Sequence, residues 1–218
     1  MNAALAGLVI LAIGDSQLMS MLSNLHTQLA DAGASVDSYS MCGATAGDWL
    51  YPSTITSCGR SERHGKGPIV VENQKAVPTY SLPKLIEEHH PNLIVVQLGD
   101  TMASYGRPQM DRAWILPQVH ALTAKIAASN IACDWVGPIW GQNSPPYQKD
   151  DARVRDIALL LSQSVAPCRY IDSTAFARPG EWRTKDGTHL LPDGYRRWAT
   201  DLTGAIVKLN DQHVLSSR

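Results

Sequence analysis

Ser16, Asp186 and His189 have the residue types of a nucleophile, an orienting acid and a base. Ser16 stands where an apolar, partly β-branched run gives way to apolar residues spaced three or four apart, which predicts a strand, a tight turn and a helix. Asp186 and His189 lie three residues apart in a loop before the last predicted helix. In a catalytic triad the imidazole takes the hydroxyl proton and the carboxylate fixes the imidazole tautomer. These residues therefore predict acyl transfer through a serine ester.

Each of these short patterns also has a purely structural interpretation. Asp15 and Ser16 are both good N-cap residues, so the turn could do no more than begin a helix. Asp186 followed by Gly187 is a strong turn former, and His189 could be an ordinary surface histidine. The choice depends on whether the fold brings the two segments together.

Strands and helices alternate along the chain. Apolar runs predict strands at residues 8–13, 34–39, 92–98, 132–136 and 169–172. We therefore predict a single domain over residues 1–218, with an α/β fold: a three-layer α/β/α sandwich around a central parallel five-stranded sheet. Residues 51–80 have no sustained period and are predicted as a long loop, in which 69–72 could form a short strand.

Several candidate residues follow predicted strands and so share one edge of the sheet. Ligands of parallel α/β sheets bind beyond the carboxyl ends of the strands, where Ser16, Gly43 and Thr101 are expected. Trp140 and His189 lie on further loops of this edge. Gly43 has the backbone freedom to turn an N–H toward a ligand. This convergence predicts a site at the carboxyl edge.

Three blocks of the sequence resemble the motifs of the SGNH, or GDSL-type, hydrolase family. Residues 14–17, Gly-Asp-Ser-Gln, resemble its first block, Gly43 matches the glycine of the second, and residues 186–189, Asp-Gly-Thr-His, fit the fifth. The blocks occur in the family's order over nearly the whole chain. The resemblance implies a flavodoxin-like fold, with the serine as nucleophile, the histidine as base and the aspartate as its orienter. It also implies that the N–H groups of Ser16 and Gly43 bind the oxyanion.

The third block departs from the family pattern, Gly-x-Asn-Asp. Residues 99–102 are Gly-Asp-Thr-Met, so Thr101 takes the place of an asparagine whose side chain is the third oxyanion donor in the resembled family. A register shifted by one would put Asp100 there, where an ionised carboxylate would repel the oxyanion. We therefore predict that Thr101 is the third donor, through a hydroxyl that is shorter than an amide.

The tryptophans suggest the class of substrate. Exposed indoles suit sugar rings because they offer flat apolar area with a polar rim. Three lie on loops of the predicted active edge: Trp49, Trp140 and Trp182. Three lie within predicted elements and are expected in the core: Trp114, Trp135 and Trp198. With no extended hydrophobic loop for a lipid, an acetylated carbohydrate is the favoured substrate.

Three functions fit these observations. The first is an esterase that removes acetyl groups from a carbohydrate or polysaccharide. An O-acetyltransferase would use the same serine ester but pass the acetyl group to a sugar hydroxyl, and a non-catalytic glycan-binding module would keep only the fold. No cofactor or metal is predicted, since His89 and His90 are adjacent and no carboxylate–histidine set has the spacing of a metal site.

The four cysteines bear on the compartment. Cys133 and Cys168 precede the centres of two predicted neighbouring strands, and Cys42 and Cys58 bracket a loop rich in small residues. Two disulfides would indicate an oxidising compartment, whereas four buried thiols would suit a cytosolic protein. We expect an extracytoplasmic protein, periplasmic or secreted, whose targeting segment is absent from this chain.

Charge and hydropathy limit the partners. The net charge is −1, without a basic block, which argues against nucleic acid. The apolar start of the chain is too short to cross a bilayer. The expected partners are an acetylated carbohydrate and, in the cell, a polysaccharide assembly system, while the oligomeric state is not indicated.

Overall fold

A computed structural model describes residues 3–51, 53–55, 58–73 and 76–216. The strands are β1 (Val9–Gly14), β2 (Ser35–Met41), β3 (Thr54–Ile55), β4 (Arg60–His64), β5 (Val70–Glu72), β6 (Val77–Pro78), β7 (Leu93–Gln97), β8 (Ala132–Val136) and β9 (Arg169–Ile171). The α-helices are α1 (Ser16–Asp31), α2 (Leu82–His89), α3 (Arg112–Ala128), α4 (Asp151–Ser164) and α5 (Pro192–Ser216). The predicted α/β class is confirmed.

The main sheet has the strand order β5-β4-β2-β1-β7-β8-β9. Five adjacent strands pair in parallel, in the order β2, β1, β7, β8 and β9. The strands β4 and β5 pair antiparallel and extend the sheet beyond β2. The sheet described here thus has seven strands, not the predicted five. The possible short strand at residues 69–72 is present as β5, whereas the sequence of β4 is polar throughout, so no apolar pattern could reveal β4.

Apolar layers cover both faces of the sheet, which explains the continuous apolar run of the central strand β7. Ile94 and Val96 face the core shared with α2, α3 and α4. Val95 faces the opposite core, where α1 packs on α5. Because helices fill both faces, the open space for a ligand lies at the ends of the strands.

Two disulfides stabilise the strand ends. Cys133 in β8 is bonded to Cys168, just before β9, and Cys42, just after β2, is bonded to Cys58 before β4. Both pairings are those expected from the sequence. Among the described residues, no helix is long and apolar enough to span a membrane.

Candidate active site

Ser16 is held at a tight junction between β1 and α1. A side chain at Gly14 would meet the Leu18 Cβ at 2.6 Å and the Gln97 carbonyl oxygen at 2.7 Å, so this turn requires glycine. Asp15 caps the helix by accepting the Gln17 N–H at 2.9 Å. The capping interpretation is therefore correct for Asp15, and it leaves Ser16 as the first helical residue, at the positive end of the helix dipole.

A line of hydrogen bonds joins the three predicted triad residues. The Ser16 Oγ lies 2.9 Å from the His189 Nε2, and the His189 Nδ1 lies 2.8 Å from the Asp186 Oδ2. The other Asp186 oxygen accepts the backbone N–H groups of Thr188, at 3.1 Å, and His189, at 2.7 Å. Burial acts to raise the pKa of Asp186, but these hydrogen bonds and the nearby imidazole outweigh it and lower the pKa. The carboxylate is thus held ionised and oriented toward the imidazole.

The loop that carries His189 is fixed from two sides. The Gly187 carbonyl oxygen, at a residue with φ +87°, accepts the Gln142 N–H at 2.7 Å. The Gln17 side chain donates to the Thr188 carbonyl oxygen at 3.1 Å. Gln17, where leucine is common in the resembled family, therefore links the nucleophile's helix to the histidine loop.

A cavity of about 430 Å³ opens in front of this line of residues. Ser16, Gly43, Thr101 and His189 line it, together with the Cys42–Cys58 disulfide. Gly43 has φ +81°, a backbone conformation that glycine adopts without strain. The N–H of Ser16, at the start of α1, lacks an intrahelical acceptor by its position. The two residues predicted as backbone oxyanion donors thus border one cavity with the nucleophile.

Thr101 lines the cavity, but its hydroxyl has another acceptor. It donates to the Ala44 carbonyl oxygen at 2.5 Å and lies 3.4 Å from the Asp15 Oδ2. A hydroxyl has one proton, so in this arrangement Thr101 fixes the loop that carries Gly43. The geometry does not support the prediction that Thr101 is the third oxyanion donor.

We expect Thr101→Val to lower kcat for an acetyl ester by less than about tenfold. Removal of a direct oxyanion donor costs about 10²-fold or more in kcat, whereas Thr101→Val removes a loop contact and preserves the shape of the side chain. Thr101→Ser, which keeps the hydroxyl, is the matched control. A hundredfold loss in Thr101→Val with full activity in Thr101→Ser would restore the predicted donor role.

Asp100, the alternative candidate for the asparagine position, is buried in a polar network beside the cavity. Its carboxylate accepts from the Gln17 side chain and the Tyr105 hydroxyl, each at 2.7 Å, and from the Lys149 ammonium at 2.8 Å. Burial, and secondly the negative charge of Asp100, raise the pKa of the buried Asp15 to about 7. Asp100 is therefore a structural acceptor whose charge Lys149 balances.

The tryptophan predictions are largely wrong. The three loop tryptophans expected at the surface are buried, and Trp114, expected in the core, is 47% exposed. Trp140 donates its indole N–H to carbonyl oxygens of the loop after β9. Trp49 stacks on Tyr80, with the ring centroids 6.4 Å apart. Trp182 belongs to the core cluster to which α1 and α5 contribute. Burial of Trp135 and Trp198 is confirmed.

The aromatic residues that line the cavity are tyrosines, not the predicted tryptophans. Tyr147 is 44% exposed, lines the cavity and contacts the His189 ring edge-on, with centroids 5.8 Å apart. Tyr105, Ser104 and Pro146 complete the wall on this side. Sequence reasoning missed these residues because they follow no motif, although Tyr147 lies on the same active-edge loop as Trp140.

The chain is similar to proteins of known sequence and of known structure. It is 43% identical over 208 residues to the protein BcsX of Komagataeibacter xylinus, with 94% of this chain and 79% of BcsX covered. Esterase EstA of a Pseudoalteromonas species has a TM-score of 0.60 at 15% identity, with 93% of this chain and 98% of EstA covered. A catalytic mutant of Axe2, an acetylxylan esterase of Geobacillus stearothermophilus, has a TM-score of 0.55 at 13% identity, with 89% and 92% covered.

No family model matches the chain. The identity with BcsX extends over most of both chains, and the solved structures share the fold. The chain therefore belongs to the same protein family as BcsX and has the fold of the SGNH, or GDSL-type, hydrolases.

Proposed function

We propose that this protein is a serine esterase that removes O-acetyl groups from a carbohydrate. The observation that carries the proposal is the continuous line of hydrogen bonds from Asp186 through His189 to Ser16. Ester hydrolysis through an acyl-serine uses a serine hydroxyl, a base within hydrogen-bond distance of it and an acid that orients the base. All three lie at the carboxyl edge of the sheet, and two of them, Ser16 and His189, border one open cavity.

The reaction proceeds in two steps. His189 takes the Ser16 proton through Nε2 while Oγ attacks the ester carbonyl, and the N–H groups of Ser16 and Gly43 donate to the oxyanion. The C–O bond to the sugar breaks, and His189 returns the proton to the leaving oxygen. Water then attacks the acetyl-serine with the same base, which releases acetate and restores Ser16.

The cavity walls support a small acyl group joined to a sugar. The apolar disulfide Cys42–Cys58 and Tyr105 line the cavity together with Ser16. The half-exposed Tyr147 offers an aromatic face and a hydroxyl, the pairing that suits a sugar ring. Axe2, with the same fold, is named as an acetylxylan esterase, which makes acetylated polysaccharides the first substrates to test.

Two disulfides suit an extracytoplasmic location, because such bonds persist in oxidising compartments. In that location the protein would meet exported glycans, either free or within a polysaccharide assembly system. The proposed partner is thus an acetylated polysaccharide outside the cytoplasm.

Acetate release from acetylated xylan and from p-nitrophenyl acetate tests the function, with and without an unacetylated sugar acceptor. We expect free acetate at a rate that the acceptor does not reduce. Acetylated acceptor formed at the expense of free acetate would identify an O-acetyltransferase instead. Glycan binding without turnover of either ester would identify a binding module. p-Nitrophenyl butyrate measures the preference for a short acyl chain.

A further inference from the structure

Asp37, His64 and His89 meet at the edge of the main sheet, away from the proposed triad. Asp37 lies in the first half of β2 and pairs in register with His64, the last residue of the antiparallel β4. His89 is the last residue of α2. Gly43, in contrast, follows the carboxyl end of β2. These three residues, the Asp37 cluster, come from three separate elements.

The ligand atoms of the Asp37 cluster converge at distances that suit one ion. One Asp37 oxygen lies 3.1 Å from the His64 Nδ1 and the other lies 3.3 Å from the His89 Nδ1. The three side chains offer one ligand atom each within 4.8 Å of one another. Two ligands bound to zinc at about 2.0–2.1 Å in tetrahedral geometry lie about 3.4 Å apart. The two separations between Asp37 and the histidines are already close to this value.

Outer partners orient both imidazoles. The His89 Nε2 lies 2.6 Å from the hydroxyl of the buried Tyr39. The His64 Nε2 lies 3.5 Å from the same hydroxyl and 3.6 Å from a Glu62 oxygen. Each imidazole therefore directs Nδ1 toward Asp37 and Nε2 toward a polar partner. Histidine ligands of metal ions usually have such a partner on the second nitrogen, which fixes the tautomer that binds.

The surrounding charge favours a cation. Glu62 and Glu88 lie within 4.0 Å of the two imidazoles, in addition to Asp37. If both imidazoles are neutral, they provide no positive charge to the carboxylates of Asp37, Glu62 and Glu88. A bound cation would provide that charge.

We propose that Asp37, His64 and His89 bind a divalent transition-metal ion of the Zn²⁺ class. Two imidazoles and one carboxylate are one of the ligand sets of three-ligand zinc sites, in which water takes the fourth position. The His64 side chain is 44% exposed, so an ion can enter from solvent. The bound ion would join α2 to the paired strands β2 and β4.

Zinc binding by the full chain tests the proposal, after any affinity tag has been removed and metal stripped with a chelator. We expect titration with ZnCl₂ to give about one retained ion per chain after desalting, as for a three-ligand site. In His64→Gln/His89→Gln we expect retained zinc to fall to background. Co²⁺ in the wild-type chain should show the visible absorption of a tetrahedral nitrogen–oxygen site. Tyr39→Phe should weaken zinc binding by about tenfold or more, since it removes only the outer partner.

Two variants control for binding elsewhere. His90→Asn changes the neighbouring exposed histidine, whose φ of +47° asparagine tolerates, and His189→Gln changes the histidine of the triad. Both should retain zinc. His64→Gln alone, at the half-exposed position, provides a folded variant whose metal-free circular dichroism and melting temperature can be matched to wild type. Absence of zinc from the wild-type chain, equal zinc in the double variant, or loss of zinc in His189→Gln would overturn the proposal.

Discussion

Ser16→Ala is expected to lower kcat for p-nitrophenyl acetate by about 10⁴-fold or more, because it removes the hydroxyl that His189 faces and that forms the acyl ester. Substrate binding should change little, since the substitution removes a single oxygen from the cavity wall. The steady-state rate and mass spectrometry after an acid quench measure the two consequences. Wild-type protein should have an acetyl group on the peptide that contains Ser16, and Ser16→Ala should have none.

Ser162→Ala is the matched control for this experiment. Ser162 is an exposed serine of α4 whose hydroxyl donates only to the Leu159 carbonyl oxygen within its own helix. It should retain wild-type turnover and the acetyl adduct on Ser16. Turnover by Ser16→Ala within tenfold of wild type, or an adduct on another residue, would reject Ser16 as the nucleophile.

The proposed nucleophile and base could be predicted because local sequence fixes their surroundings. The junction of β1 and α1 needs glycine at position 14 and a cap at position 15, and the Asp186–His189 spacing lets the carboxylate accept both the backbone and the ring of His189. Such short-range interactions are written in adjacent residues. The five parallel strands could be predicted for a similar reason, since burial on both faces produces continuous apolar runs.

Long-range packing explains what could not be predicted. A loop position does not determine exposure, so Trp49 lies in the core against Tyr80 although small and polar residues precede it. His64 reaches Asp37 only through the antiparallel pairing of β4, a strand with no apolar pattern. The sequence argument excluded His89 and His90 as a pair of metal ligands because they are adjacent. Their spacing carries no information about ligands on other strands or helices.

Lys149 is a further residue that the sequence did not single out, and its replacement has the second large expected effect. Its side chain is fully buried, and its ammonium lies 2.8 Å from Asp100 and 5.5 Å from the centre of the Tyr105 ring. Space for its stem comes from Gly141, where a side chain would approach the Lys149 Cδ to 2.5 Å. An ion pair this deeply buried has no water to replace a missing partner.

Lys149→Met is therefore expected to reduce the free energy of unfolding by about 3–5 kcal/mol, because it leaves the Asp100 carboxylate charged, buried and unpaired. Methionine preserves most of the apolar stem, so lost packing contributes little. Urea unfolding at neutral pH measures the change. Arg196→Met is the control, because it removes an ion pair with Asp193 at the surface, where the Arg196 side chain is 67% exposed. It should reduce the free energy of unfolding by less than about 1 kcal/mol.

A second substitution separates the charge from the shape of the site. In Lys149→Met/Asp100→Asn the buried charge is gone, while the amide oxygen can still accept from Tyr105 or Gln17. The double variant should therefore be more stable than Lys149→Met alone, because the penalty of an unpaired buried charge exceeds that of a neutral hydrogen-bonded amide. Two results would mean that the charge of the pair does not determine stability. In the first, the double variant is no more stable than Lys149→Met. In the second, Lys149→Met lowers the free energy of unfolding no more than Arg196→Met does. The first result would assign the loss to packing around Gly141, and the second would require that water reaches Asp100.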